Sequence, residues 1–184
     1  MTLKKTPGRV AAAAAAALAV AAICAGSAGA VTDNVFRYST AKTGYLGISV
    51  AAFVPMQSAT QYINNGVSIQ PTTTGATCLQ APVNLPQGAA MKNVAVAYTA
   101  NGTGTFQIEM IRQEFATGAN ELLVLKALPD TGGSRKIAMA AIPAAKQTVN
   151  NLRYNYNVNF CSQVTTQNRM WGARIAFTYA TAGD

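Results

Sequence analysis

The stretch Leu152-Arg153-Tyr154-Asn155-Tyr156-Asn157-Val158-Asn159-Phe160 alternates apolar and polar side chains without a break. Successive side chains of an extended chain leave on opposite faces, so the stretch predicts a strand with Leu152, Tyr154, Tyr156, Val158 and Phe160 on a buried face. Arg153, Asn155, Asn157 and Asn159 then form an outward row. A helix would scatter both sets around its axis, so the alternation decides for β structure.

The pattern recurs on both sides of this stretch. Towards the C-terminus, Trp171, Ala173, Ile175, Phe177 and Tyr179 oppose Gly172, Arg174, Ala176 and Thr178, which predicts a second strand with the tryptophan inward. Upstream, the runs Val94 to Thr99 and Thr105 to Ile111 flank Asn101-Gly102-Thr103-Gly104. Asn and Gly tolerate the positive φ of a tight turn, so these runs predict a β-hairpin. Further turn clusters stand at Asn64-Asn65-Gly66, Pro71 to Gly75, Pro86-Gln87-Gly88, Thr117-Gly118, Pro129 to Gly133, Asn150-Asn151 and Ser162 to Asn168. Short strands between such clusters, about every ten residues, predict an all-β chain of eight or nine strands. The architecture expected is a single antiparallel β-sandwich, jelly-roll-like, over residues 45–184. Residues 31–44 carry the least pattern and read as a flexible N-terminal arm, an edge strand, or a strand exchanged between subunits. Pro55, Pro71 and Pro143, beside apolar runs, would blunt sheet edges against pairing.

The first thirty residues read differently. Lys4, Lys5 and Arg9 precede an apolar run from Val10 to Ile23, and small residues end at Ala28-Gly29-Ala30. This is the three-part pattern of a cleavable signal peptide, residues 1–30, with the cut after Ala30. A retained anchor is disfavoured, because the run is mostly alanine and shorter than the roughly 20 residues a bilayer span needs. Lipidation at Cys24 is disfavoured by bulky Ile23 beside it. Removal of the signal leaves 154 residues, one domain's worth, with eleven cations against six carboxylates, a charge of +5. The cations form no run, so no nucleic-acid footprint is present, and no membrane span follows the signal. Cys78 and Cys161 then remain, and an oxidising compartment predicts a disulfide between them, a staple across the sandwich that closes a long loop.

The chemistry available is sparse. The chain has no histidine, which excludes Ser-His-Asp and Cys-His nucleophile systems and the commonest transition-metal ligand. Structural zinc would need more cysteines at short spacing than Cys78 and Cys161 offer. The mature carboxylates Asp33, Glu109, Glu114, Glu121, Asp130 and Asp184 are scattered. Glu109 and Glu114 are the nearest pair suited to glycoside hydrolysis, but five residues of extended chain span roughly 16 Å and odd spacing sends the side chains to opposite faces. Leu128-Pro129-Asp130-Thr131-Gly132 matches a sortase sorting pattern, yet no membrane-spanning stretch or basic tail follows it, and its composition is that of a turn.

The element Ala81-Pro82-Val83-Asn84-Leu85-Pro86-Gln87-Gly88-Ala89, preceded by Phe53-Val54-Pro55 and Cys78 and followed by Tyr154-Asn155-Tyr156, resembles a loose group of exported bacterial proteins. The resemblance covers about Gly47 to Tyr179. It implies an exported β-sandwich-like domain and brings no activity, cofactor or functional residue with it.

The reading is therefore a secreted, non-catalytic binding module acting at the bacterial cell envelope or extracellular matrix, with no cofactor and no metal. Its expected partners are a cell-wall glycan or a protein, and a second copy of itself. Arg153, Asn155, Asn157 and Asn159 are the candidate contact face. A self-assembling surface protein and a carboxylate-only secreted glycoside hydrolase are the alternatives.

Overall fold

The computed structural model describes residues 36–72, 75–101, 106–163 and 168–182; the expected signal peptide lies outside them. Eleven strands run in chain order: β1 (Phe36–Ile48), β2 (Val54–Pro55), β3 (Tyr62–Asn64), β4 (Ile69–Pro71), β5 (Ala76–Pro82), β6 (Ala90–Thr99), β7 (Phe106–Glu114), β8 (Asn120–Ala127), β9 (Lys136–Ala141), β10 (Tyr154–Gln163) and β11 (Arg169–Ala182). Eight have six or more residues, and β2, β3 and β4 are the short additions to the expected number. Among the described residues, short 3-10 turns at Val50–Ala52 and Ala144–Lys146 are the helical elements.

The strands form two antiparallel sheets packed as a β-sandwich. The six-stranded sheet runs β3-β4-β11-β6-β9, with β1 also on β11; the five-stranded sheet runs β2-β5-β10-β7-β8. Alternate residues fill the space between them, among them Leu79, Met91, Val96, Tyr98, Ile108, Met110, Val158, Phe160, Met170 and Ile175. Phe106 stands edge-on to Phe160 with ring centres 4.6 Å apart, an arrangement that adds to burial the favourable contact of a ring edge with a ring face.

The connections differ from the expectation in one place. The alternation around Asn101 does mark two strands, but β6 and β7 lie in different sheets, so they cross the sandwich and do not form a hairpin. Tyr98 and Phe106 both point into the core, with ring centres 5.5 Å apart. A period of two reports which face is buried, and it reports this equally for strands paired side by side and for strands stacked face to face. The Leu128-Pro129-Asp130-Thr131-Gly132 turn holds the end of β6. There the buried Thr131 hydroxyl donates to the Ala100 carbonyl at 2.8 Å and accepts from the Ala100 N–H at 3.0 Å, while the Tyr98 hydroxyl donates to the Pro129 carbonyl. The true hairpins are β3–β4 and β7–β8, through the Asn64-Asn65-Gly66 and Thr117-Gly118 turns. Every other connection crosses between sheets.

Residues 36–44 belong to β1, which pairs with β11. Pro55 sits in the edge strand β2, and Pro71 ends β4, opposite Tyr62 of β3, while β4 meets β11 at Ile69.

Three further side chains depart from the alternation. Leu152 precedes β10 and is 89% exposed, since the chain is still turning there. Trp171 is turned outward by an irregularity in the β6–β11 register between Met170 and Gly172, and Met170 takes the buried place. The third is Asn159, which is 3% exposed. It lies on the outward row, yet it is flanked in register by Gln80 of β5 and Glu109 of β7, which leave it no open side.

Cys78 and Cys161 are joined, as expected, but not across the sandwich. They face each other directly on the neighbouring strands β5 and β10 with a Cα separation of 4.1 Å, so the bridge ties two strands of one sheet.

Candidate functional site

The outward face of the five-stranded sheet ends in a cleft of about 430 Å³ lined by Pro82, Val83, Asn84, Gln113, Asn151, Tyr154, Asn155, Tyr156 and Asn157. Two loops wall it. On one side the chain leaving β5 stays bonded to β10 through the Val83 N–H and the Tyr156 carbonyl, then turns at Pro86-Gln87-Gly88. Gly88 there has φ of +76°, which a residue without a side chain adopts freely. On the other side, the Asn150 carbonyl accepts from Tyr154 N–H at 2.9 Å as the chain enters β10.

The walls are tied to each other. Asn151 donates its backbone N–H to Gln87 Oε1 at 2.6 Å and its side-chain Nδ2 to the Leu85 carbonyl at 2.8 Å. The Tyr156 hydroxyl accepts from the Asn150 N–H at 2.8 Å, which fixes a largely buried ring beneath the cleft. The two elements that carry the sequence resemblance, Pro82-Val83-Asn84 and Tyr154-Asn155-Tyr156, therefore meet at this one place.

Three cations and two carboxylates pair at the rim. Arg153, from the candidate row, stands at the entrance to β10 and donates to Glu114 Oε1 at 2.8 Å. The Thr117 hydroxyl donates to the other oxygen of Glu114, and these bonds, Thr117 first, hold the Glu114 carboxyl below its ordinary pKa. Arg112 donates twice to Glu121 Oε2, at 2.9 and 2.7 Å, and Lys146 lies 3.1 Å from Glu121 Oε1. Hydrogen bonds from Arg112 and then Lys146 draw the Glu121 carboxyl down likewise. Both guanidiniums rest against the Tyr154 ring, Arg112 at 4.3 Å and Arg153 at 5.1 Å from its centre. Arg112 and Lys146 share Glu121, and the lining itself is neutral: five amides, two tyrosines, a proline and a valine.

Of the four candidate contact residues, the structure brings Asn155 and Asn157 into the cleft and sets Arg153 at its rim in an ion pair. Asn159 lies deeper along the same strand, where its Nδ2 donates to Glu109 Oε2 at 3.5 Å. Glu109 also accepts from Gln107 Nε2 at 2.6 Å. Register places Glu109 opposite Asn159 and Glu114 opposite Tyr154, so the two carboxylates stand apart, as their spacing predicts. Among the described residues no three His, Cys, Asp or Glu side chains gather where a metal could be held. No helix of the described residues is long and apolar enough to cross a membrane.

The alternation alone did not reveal Asn84, Gln113 and Asn151 as members of the site. Gln113 had a readable signal, for it stands opposite Asn155 once β7 and β10 are paired. Asn84 and Asn151 lie in turns, where Asn is ordinarily a turn former and signals nothing more.

A second, smaller cleft of about 220 Å³ opens on the outer face of the six-stranded sheet, over Ala95, Ala97, Ile137, Trp171, Gly172 and Arg174. The Trp171 indole N–H donates to Thr99 Oγ1 at 3.1 Å, and the Arg135 guanidinium lies 5.0 Å from the ring centre.

No family model and no curated protein matches the chain. Solved structures do. A family 35 carbohydrate-binding module from Clostridium thermocellum aligns with a TM-score of 0.50 at 9% identity, over 72% of this chain and 97% of that one. The C-terminal family 6 carbohydrate-binding module of a laminarinase from Zobellia galactanivorans gives 0.49 at 13% identity, over 72% and 98%. A second family 6 module, from Cellvibrio mixtus lichenase 5A in complex with cellotriose, gives 0.46 at 17% identity, over 71% and 95%. At such identity the likeness to the family 35 module is one of fold.

Proposed function

We propose that this chain is a secreted, non-catalytic module that holds a neutral glycan in the cleft between the Pro82-Val83-Asn84 loop and strand β10. The observation that carries the reading is the lining: Asn84, Gln113, Asn151, Asn155 and Asn157 converge with no charged side chain among them. An amide offers donors and an acceptor together, which is the pattern a run of sugar hydroxyls presents in reverse. Asn84, Asn155 and Asn157 make no side-chain hydrogen bond among the described residues, so a ligand would break none there. The half-buried Tyr154, held between the core and the two guanidiniums, gives the cleft a firm wall beside them.

The fold supports the reading, since the sandwich is like that of a carbohydrate-binding module. The disulfide supports export, because such bridges persist in oxidising compartments. Turnover has less to work with. The described glutamates are held in hydrogen bonds or ion pairs at separate places, and histidine is absent from the sequence.

Affinity electrophoresis against soluble neutral polysaccharides, with pull-down on isolated cell walls, tests the reading. Binding that the double variant Asn155→Ala, Asn157→Ala removes is the expected result. Binding to no glycan, or binding the double variant keeps, overturns it.

A further inference from the structure

We propose that strand β9 is a self-association edge, along which two copies of the chain pair antiparallel about a two-fold axis at Met139. The strand ends the six-stranded sheet, and within Ile137 to Ala141 it carries neither charge nor proline. None of these residues makes a backbone hydrogen bond beyond the pairing with β6 among the described residues, so alternate peptide groups face outward unpaired. Such an edge templates a further strand.

The remaining edges are protected. Strand β1 carries Arg37 and Lys42, and β2 and β3 are two and three residues long. Strand β8 carries Glu121 and Lys126, and Lys146 donates to its Leu122 carbonyl at 2.7 Å. Only β9, among the described strands, is both long and bare.

The side chains of β9 point the same way. Ile137 and Met139 are 75% and 62% exposed, beside Ala97 and Ala95 in register, which are too small to cover them. Under the two-fold, Met139 meets Met139 of the second copy and Ile137 meets Ala141, so the exposed apolar atoms cover one another. Charge permits this register. The two Lys136 side chains would stand six residues apart, roughly 20 Å, well beyond the screening length of roughly 8 Å at physiological salt. The charge of +5 left after signal removal repels a second copy in any orientation, and salt screens that repulsion.

Sedimentation equilibrium of the purified protein across a wide concentration range tests the proposal, with Met139→Lys as the variant. A reversible dimer is expected, tightening with added salt, and Met139→Lys should raise its dissociation constant at least about tenfold by setting two cations face to face. A second measurement holds whatever the effect on affinity: oxidised Met139→Cys should cross-link to itself, and Val67→Cys, equally exposed on the β3–β4 turn, should not. A monomer at every concentration, or a dimer indifferent to Met139→Lys, overturns the proposal. Glycan binding by the monomeric variant keeps this test separate from that of the cleft.

Discussion

Gly172 lies against Ile48: a Cβ on the glycine would stand 3.3 Å from the Ile48 carbonyl oxygen, and the φ of +141° is one that residues with side chains rarely adopt. The same irregularity carries Trp171 to the outer face. Gly172→Ala should therefore destabilise the protein by about 2 kcal/mol, the usual cost of a strained backbone position. For a chain of this size that lowers the melting temperature by roughly 5 to 8 °C. Tryptophan fluorescence should change with it, since Trp171 is the sole tryptophan. An unchanged melting temperature would mean that the backbone relaxes without strain.

Because Cys78 and Cys161 are 83 positions apart, their bridge removes a large loop's freedom from the unfolded chain. The entropy model gives about 4 to 5 kcal/mol for a loop of that length. The double variant Cys78→Ala, Cys161→Ala should unfold at correspondingly lower denaturant, with wild type under reductant behaving alike. Finding two alkylatable thiols in the native protein would refute the bridge.

Acid should loosen the rim of the cleft first. Hydrogen bonds from Thr117 and Arg153 lower the Glu114 pKa, and those from Arg112 and Lys146 lower that of Glu121. Each carboxyl ionises more readily folded than unfolded, so its stabilisation is complete above the ordinary value of 4.5 and is lost as pH falls through the lower folded values. The effect is small, for these ion pairs face solvent. Melting temperature measured against pH should be flat down to about 4.5 and decline below it. Glu121→Gln should flatten part of that decline, and a fall beginning near neutral pH would contradict this origin.

The outward row should divide by substitution. Asn155 and Asn157 are at the surface, so their double replacement by alanine should shift the melting temperature by less than about 2 °C while weakening glycan binding at least about tenfold. Asn159→Ala should act on stability instead, because its amide is buried and bonded to Glu109. If Asn159→Ala weakened binding while leaving stability untouched, the row would act as one face after all.

Much of the sandwich was legible because alternation is a direct imprint of burial. Val158 and Phe160 were readable as core, and Asn155 as outward, from period two alone. The pairing was less legible. Whether β6 lies beside β7 or above it depends on contacts between the sheets, such as Tyr98 with Phe106, that leave no mark in the local sequence. Trp171 was misplaced because one irregularity breaks the parity between its two sides, leaving Ala173 and Ile175 inward as read but giving Met170 the buried place before them. Its signal, Gly172 in the middle of a strand, is also what an ordinary outward small residue looks like. The cleft was half legible. Asn155 and Asn157 lie on a strand whose faces can be assigned, whereas Asn84 and Asn151 are brought to them by loop closure.

Strand β11 pairs with β1, β4 and β6 and so forms the spine of the six-stranded sheet, yet among the described strands it follows all its partners in chain order. Until residues 169–182 are available, β1 has no partner, and β6 can join only β9. A chain delivered N-terminus first can therefore complete the five-stranded sheet, whose strands end at Gln163, before the six-stranded one. Topology thus works as a delay: the six-stranded sheet closes only when its central strand arrives, after every strand that it joins.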